Sequence, residues 1–300
     1  MKLCADDIYK IKSRLFAYSP NLKQSWILYV IVMLSYYIAL TLTVQMMYFV
    51  SIIYKDIVKI TPEYRVLVND LLAFAAVAIV VVILGKNNRC VPVTPPRQSP
   101  LLWLLLVPFI LSVGFATELF RIPEYNVYAM LWGFRYRNNF QMFLSSVIVM
   151  PVFYEWMCRG IILKGLLARY SPLKAILWSS VIFGIMHINP REAVLAFCIG
   201  IAIGWIYWRT RSLWLCIFMH MVFSAVSFMV VRIFYPDVID LADPHVKITY
   251  YQSIADITGT HYIYVVALFV CALTGIWIKK IVVSPVVASD IQNRQNPMFF

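Results

Sequence analysis

Three short polar sets interrupt an otherwise apolar stretch of this 300-residue chain: Tyr154-Glu155-Trp156-Met157-Cys158-Arg159, Phe183-Gly184-Ile185-Met186-His187 and His220-Met221-Val222-Phe223-Ser224. Residues four apart share a helix face, so Glu155 lies with Arg159, Phe183 with His187, and His220 with Ser224. A carboxylate, two imidazoles and a hydroxyl can move protons to and from water and hold a developing negative charge. Two histidines and a carboxylate can also ligate zinc, which leaves His187, His220 and Glu155 as candidate metal ligands and Zn2+ as an open cofactor question. The bland alternatives are a Glu155–Arg159 ion pair that only pins helices, and imidazoles satisfied in a polar core. Ionisable groups at membrane depth are costly, and four within about 70 residues favour a functional site.

The surroundings set that depth. The chain is 62% hydrophobic and 13% charged, about half the charge of an average soluble domain (roughly 25%). Several apolar runs reach the ~20 residues that a bilayer demands, so a soluble protein is disfavoured. The net charge of +12 does not point to nucleic acid: the basic residues punctuate apolar runs instead of forming a face interleaved with aromatics. The six cysteines are scattered without a CxxC pair, which indicates neither a thiolate zinc site nor a disulfide framework.

Read in order, the chain offers a basic arm over 1–24, a single transmembrane domain over 25–280 and a flexible tail over 281–300. The expected spans are Ser25–Ile52, Val66–Gly85, Leu101–Phe120, Phe140–Tyr170, Leu173–Ile188, Glu192–Trp208, Leu213–Tyr235 and His261–Ile278. The prolines between Lys86 and Pro100 mark a linker. As ideal α-helix, the ~31 residues of the fourth run would rise about 46 Å, more than a ~30 Å hydrocarbon core. Gly200 and Gly204 form a GxxxG pattern that permits close helix packing. The expectation is an all-α polytopic bundle of about eight spans. With the N-terminus inside, sixteen Lys and Arg fall on the inner face and nine on the outer, Arg159 excluded; that bias puts both termini in the cytoplasm. Rise counted from the span ends leaves His187 about 10 Å deeper than His220.

At these motifs the chain resembles the CPBP intramembrane proteases, which include the type II CAAX prenyl endopeptidases and the Abi bacteriocin-immunity proteins. The family pattern is Glu-Glu-x-x-x-Arg, then Phe-x-x-x-His, then His-x-x-x-Asn. Arg159-Gly160, Phe183-Gly184 and Ser212-Leu213-Trp214 match the flanking words, and the resemblance covers about 145–228. It implies a helical bundle with a cavity open toward the cytoplasmic side of a bacterial plasma membrane. It implies catalytic roles for His187 and His220, and places Glu155 and Arg159 at the second glutamate and the arginine. Tyr154 stands at the first glutamate, implied to activate water, and Ser224 at the asparagine, implied to hold the oxyanion.

A serine can still donate a hydrogen bond, but a phenol is a poor base. Asp70, Glu118 and Glu192 lie near the outer ends of their spans, where none obviously replaces the missing carboxylate. Two functions follow. One is an endopeptidase whose water is activated by Glu155 or a histidine, with Ser224 and His220 at the oxyanion; its partners are membrane lipid and a peptide, prenylated or leader-type, entering from the bilayer or the cytoplasm. The other is a catalytically impaired relative that serves as an immunity factor or a peptide-binding scaffold. Transport is disfavoured, because no interrupted helices recur in matching halves.

Overall fold

Backbone amides in hydrocarbon must bond within their own segment, so apolar runs of this length become helices. The computed structural model describes residues 19–53, 62–84, 98–117, 139–187, 190–234 and 262–282. Among them are eight helices and no strand: α1 Leu22–Ile53, α2 Pro62–Leu84, α3 Pro100–Thr117, α4 over 139–167, α5 Pro172–Ile185, α6 Pro190–Thr210, α7 Leu213–Phe234 and α8 Ile263–Ile281. The protein is an all-α, multi-pass membrane bundle. Most of the expected basic arm and tail, and Glu118, lie outside the described residues.

Seven of these helices are long and apolar enough to cross a bilayer. The exception is α5, expected as a full span. Its 14 residues rise about 21 Å, short of a ~30 Å core. A long protruding fifth helix would have been one way to bring His187 to the depth of His220; α5 is short instead.

α4 is the centre of the bundle. Of its most apolar window 72% is buried, against 22% in α1 and α8, which turn most of their surface outward. It packs against α2, α5, α6 and α7, while α8 lies on α3 and α1 on α2. Nor is α4 the ideal helix that the rise estimate assumed: Leu144–Val149 and Trp156–Leu163 are π-helical. Such stretches occur often at functional sites. In the second, the hydroxyl of Ser179 donates to the Cys158 carbonyl across 3.1 Å and ties α5 to α4.

The glycine pattern acts as its spacing suggests. A Cβ on Gly200 would sit 3.0 Å from Ser180 Cβ, and one on Gly204 3.2 Å from Ile176 Cγ2. α6 therefore approaches α5 almost backbone to backbone.

Arginines tie down two ends of the bundle. Arg209 Nη2 donates to the Lys279 carbonyl at 3.1 Å and to that of Val282, linking the end of α6 to the end of α8. Arg169 Nη1 donates to Ser19 Oγ at 3.3 Å, and Pro20 presses on Gly165 so closely that a Cβ there would collide with its carbonyl oxygen. The α6–α7 link is only Arg211 and Ser212, with Arg211 at φ 53°. That left-handed residue ends α6 sharply. α7 then starts at once and lifts His220 two turns into the bundle.

Candidate active site

The site is built from the centre of α4, the C-terminal end of α5 and the second turn of α7. Glu155 and Arg159 are both 0% exposed. Arg159 Nη1 donates to Glu155 Oε1 at 2.9 Å, and Nη2 donates to the Gly200 carbonyl on α6 at 3.1 Å. The guanidinium also lies 4.7 Å from the centre of the Phe183 ring, a favourable cation–π distance. The same Glu155 oxygen accepts from His220 Nδ1 at 2.8 Å. One carboxylate oxygen thus joins α4 to α7 and, through Arg159, to α6.

His187 lies just beyond the last turn of α5, where its Nδ1 meets the Phe183 carbonyl at 3.0 Å. A carbonyl only accepts, so this nitrogen carries the proton. Glu155, ionised beside Arg159, also only accepts, so His220 likewise bears its proton on Nδ1. In its neutral form each imidazole is therefore held in the tautomer that carries the proton on Nδ1.

The two imidazoles share one aromatic cluster. Phe183 lies 5.2 Å from His187 and 5.5 Å from His220, edge-on to each. Tyr154 lies 5.7 Å from His187, 5.8 Å from Phe183 and 6.2 Å from His220, nearly parallel to the last. Both imidazoles thus border one phenylalanine ring, although rise counted from the span ends set them at different depths. Tyr154 is partly buried where Glu155 is wholly so, as expected for neighbours turned by about 100° on a helix. Ser224 is partly buried one turn beyond His220.

Glu155 itself faces inward: Oε1 is taken by Arg159 and His220, while Oε2 is buried without a hydrogen-bond partner. Among the described residues no three His, Cys, Asp or Glu side chains are grouped to hold an ion. Asp70 is not at a helix end exposed to water; it is 2% exposed, and its Oδ2 accepts from Ser145 on the first π-helical stretch. Glu192 lies in the first turn of α6. Two contacts had no signal in the motifs: the Gly200 carbonyl under Arg159, and the Ser179 tie. The GxxxG spacing announces close packing but not which carbonyl will accept a guanidinium.

Residues 136–226, which contain every one of these side chains around the two imidazoles, match the family model described as type II CAAX prenyl endopeptidase Rce1-like. This block is similar to that family. A protein of Bacillus subtilis (strain 168) named "Putative membrane peptidase YdiL" is 35% identical over 83 residues, which is 28% of this chain and 34% of that protein. The match thus spans about a third of that curated relative's length. No solved structure matches the chain. The matched block contains the buried Glu155–Arg159 pair and the Gly200 and Gly204 approach of α6 to α5.

Proposed function

We propose that the protein is a CPBP-type membrane endopeptidase, hydrolysing a peptide bond in a substrate that reaches the site from the bilayer or the cytoplasmic side. The single observation that carries this reading is the Glu155–His220 pair, which lies beside the Phe183 ring that also borders His187. His220 Nε2 takes a proton from water as the oxygen attacks the carbonyl carbon. The carboxylate behind the ring holds its tautomer and faces the charge that it acquires. When the tetrahedral intermediate collapses, the C–N bond breaks and the imidazolium returns its proton to the departing amine. His187 orients the attacking water, and Ser224 donates to the oxyanion from one turn along α7. The substrate is a membrane-associated peptide, prenylated or leader-type, and the termini lie in the cytoplasm.

A second reading is a peptide-binding scaffold or immunity factor on the same bundle, favoured by a phenol at position 154 in place of a carboxylate. The experiment that separates the two is cleavage of quenched fluorescent peptide libraries, with and without a farnesyl group, by purified protein in micelles. A working general base contributes about 10²–10⁴-fold. His220→Ala and His187→Ala should each lose at least the lower part of that range. Unchanged turnover in both variants removes the hydrolase reading.

A further inference from the structure

One end of the bundle gathers cations from two separate chain segments. α6 stops at Thr210, Arg211 turns the chain at φ 53°, and α7 begins directly after Ser212. That link sets Arg211 beside the first turn of α7, where Trp214 is 71% exposed. The last turn of α8 carries Lys279 and Lys280, both exposed. Arg209 draws the two segments together: its Nη2 donates to the carbonyls of Lys279 and Val282. Carbonyls at a helix C-terminus are commonly met by cations of the helix's own last turn; here Arg209 of α6 meets them. Among the side chains described, no carboxylate balances this charge. Asp70 bonds Ser145 near the start of α4, Glu155 is engaged by Arg159 and His220, and Glu192 opens α6 about 26 Å of helix rise from Arg209. Trp277 is 56% exposed and its ring centre lies 5.7 Å from Lys280 Nζ. Exposed tryptophans beside cations at the end of a spanning helix belong at the level of lipid headgroups.

We propose that this junction of α6, α7 and α8 binds the headgroup of an anionic phospholipid, with Arg211, Lys279 and Lys280 supplying the charge and Trp214 and Trp277 the apolar contact. Basic pockets between helices at a membrane surface bind anionic headgroups. A phospholipid satisfies both halves of this surface, its phosphate the cations and its chains the indole rings, whereas a free phosphate satisfies only the first. The inference is independent of the hydrolase reading, since a scaffold would carry the same junction. A second basic group on the same face supplies the control. Gly204 meets Ile176 and Gly200 meets Ser180, so the start of α5 is level with the end of α6. Trp26 packs on Trp178 and brings the start of α1 to that level. Lys23 and Lys174, both exposed, therefore share the face but lie away from α8, which packs chiefly on α3.

Native mass spectrometry of the full chain in micelles tests the site, with phosphatidylglycerol, phosphatidylcholine of the same chains and inorganic phosphate as probes. Wild type should bind one phosphatidylglycerol about tenfold more tightly than phosphatidylcholine, and inorganic phosphate at equal concentration should not displace it. Each cation near an anionic headgroup contributes about fivefold, so Arg211→Gln with Lys279→Gln should weaken phosphatidylglycerol binding about 30-fold. Lys23→Gln with Lys174→Gln removes the same charge from the same face and should stay within about threefold of wild type. Arg211→Lys with Lys279→Arg preserves the charge and should preserve the affinity, which separates lost binding from a lost fold. Equal losses in the two charge-removing pairs would mean a diffuse attraction to the membrane surface and would overturn the site. Equal binding of the two lipids by wild type, or displacement by inorganic phosphate, would overturn it as well.

Discussion

Arg159→Met tests the electrostatic frame of the site more directly than any catalytic assay. The wild-type guanidinium is fully buried, with donors 2.9 Å from Glu155 Oε1 and 3.1 Å from the Gly200 carbonyl. Methionine fills most of the same volume, so a cavity contributes little. What is left is a carboxylate at 0% exposure whose one remaining partner is His220. Breaking a buried pair from one side costs about 3–5 kcal/mol, whereas replacing both charges together is often close to neutral. Arg159→Met should therefore lose about 3–5 kcal/mol, and Glu155→Gln with Arg159→Met should recover all but about 1–2 kcal/mol of it. The glutamine introduced by Glu155→Gln would still accept from His220 through its amide oxygen. The assay is reversible unfolding in mixed micelles with increasing SDS, followed by the fluorescence of the nine tryptophans. A single-variant cost under about 1 kcal/mol, or a double variant no more stable than the single, would refute the account.

Two further perturbations probe what holds the frame. Gly200→Val puts branched carbon against Ser180, whose Cβ lies 3.0 Å from the first added atom, so α6 and α5 must part. Overpacking of this kind costs about 1–3 kcal/mol; a thermal midpoint equal to wild type would show that the helices are not in that contact. At the far end of α4, Asp70→Asn keeps an acceptor for the Ser145 hydroxyl, whereas Asp70→Leu strands it at 0% exposure. A stranded buried donor costs about 1–3 kcal/mol. The expected order of unfolding midpoints is wild type and Asn together, Leu below; equal midpoints for Asn and Leu would contradict the bond.

The motifs were legible because their physical demands are local. A carboxylate and a guanidinium four residues apart share a face in any helical stretch, and Glu155 with Arg159 does so even across a π-helical segment. Apolar runs near bilayer length announced the helices, and the GxxxG spacing announced where two of them come closest. Less was legible where an outcome depended on a second chain segment. Pro172 and Asn189-Pro190 bracketed α5 in the sequence, but their spacing alone did not say that this helix stops short of a full span. The π-helical stretches of α4 have no composition signal.

By itself, then, the sequence determined that this is a membrane bundle with one buried constellation of acid, base and hydroxyl, because hydropathy and four-residue spacing are properties of single segments. Only the tertiary structure decided which atoms meet. Glu155 gives its oxygen to Arg159 and His220 at once, both imidazoles commit their protons to Nδ1, and Tyr154 lies against both rings. Those facts depend on where three helices stand relative to one another. Hydrogen-bond direction and tautomer follow from the partner that packing supplies, and no single segment contains it.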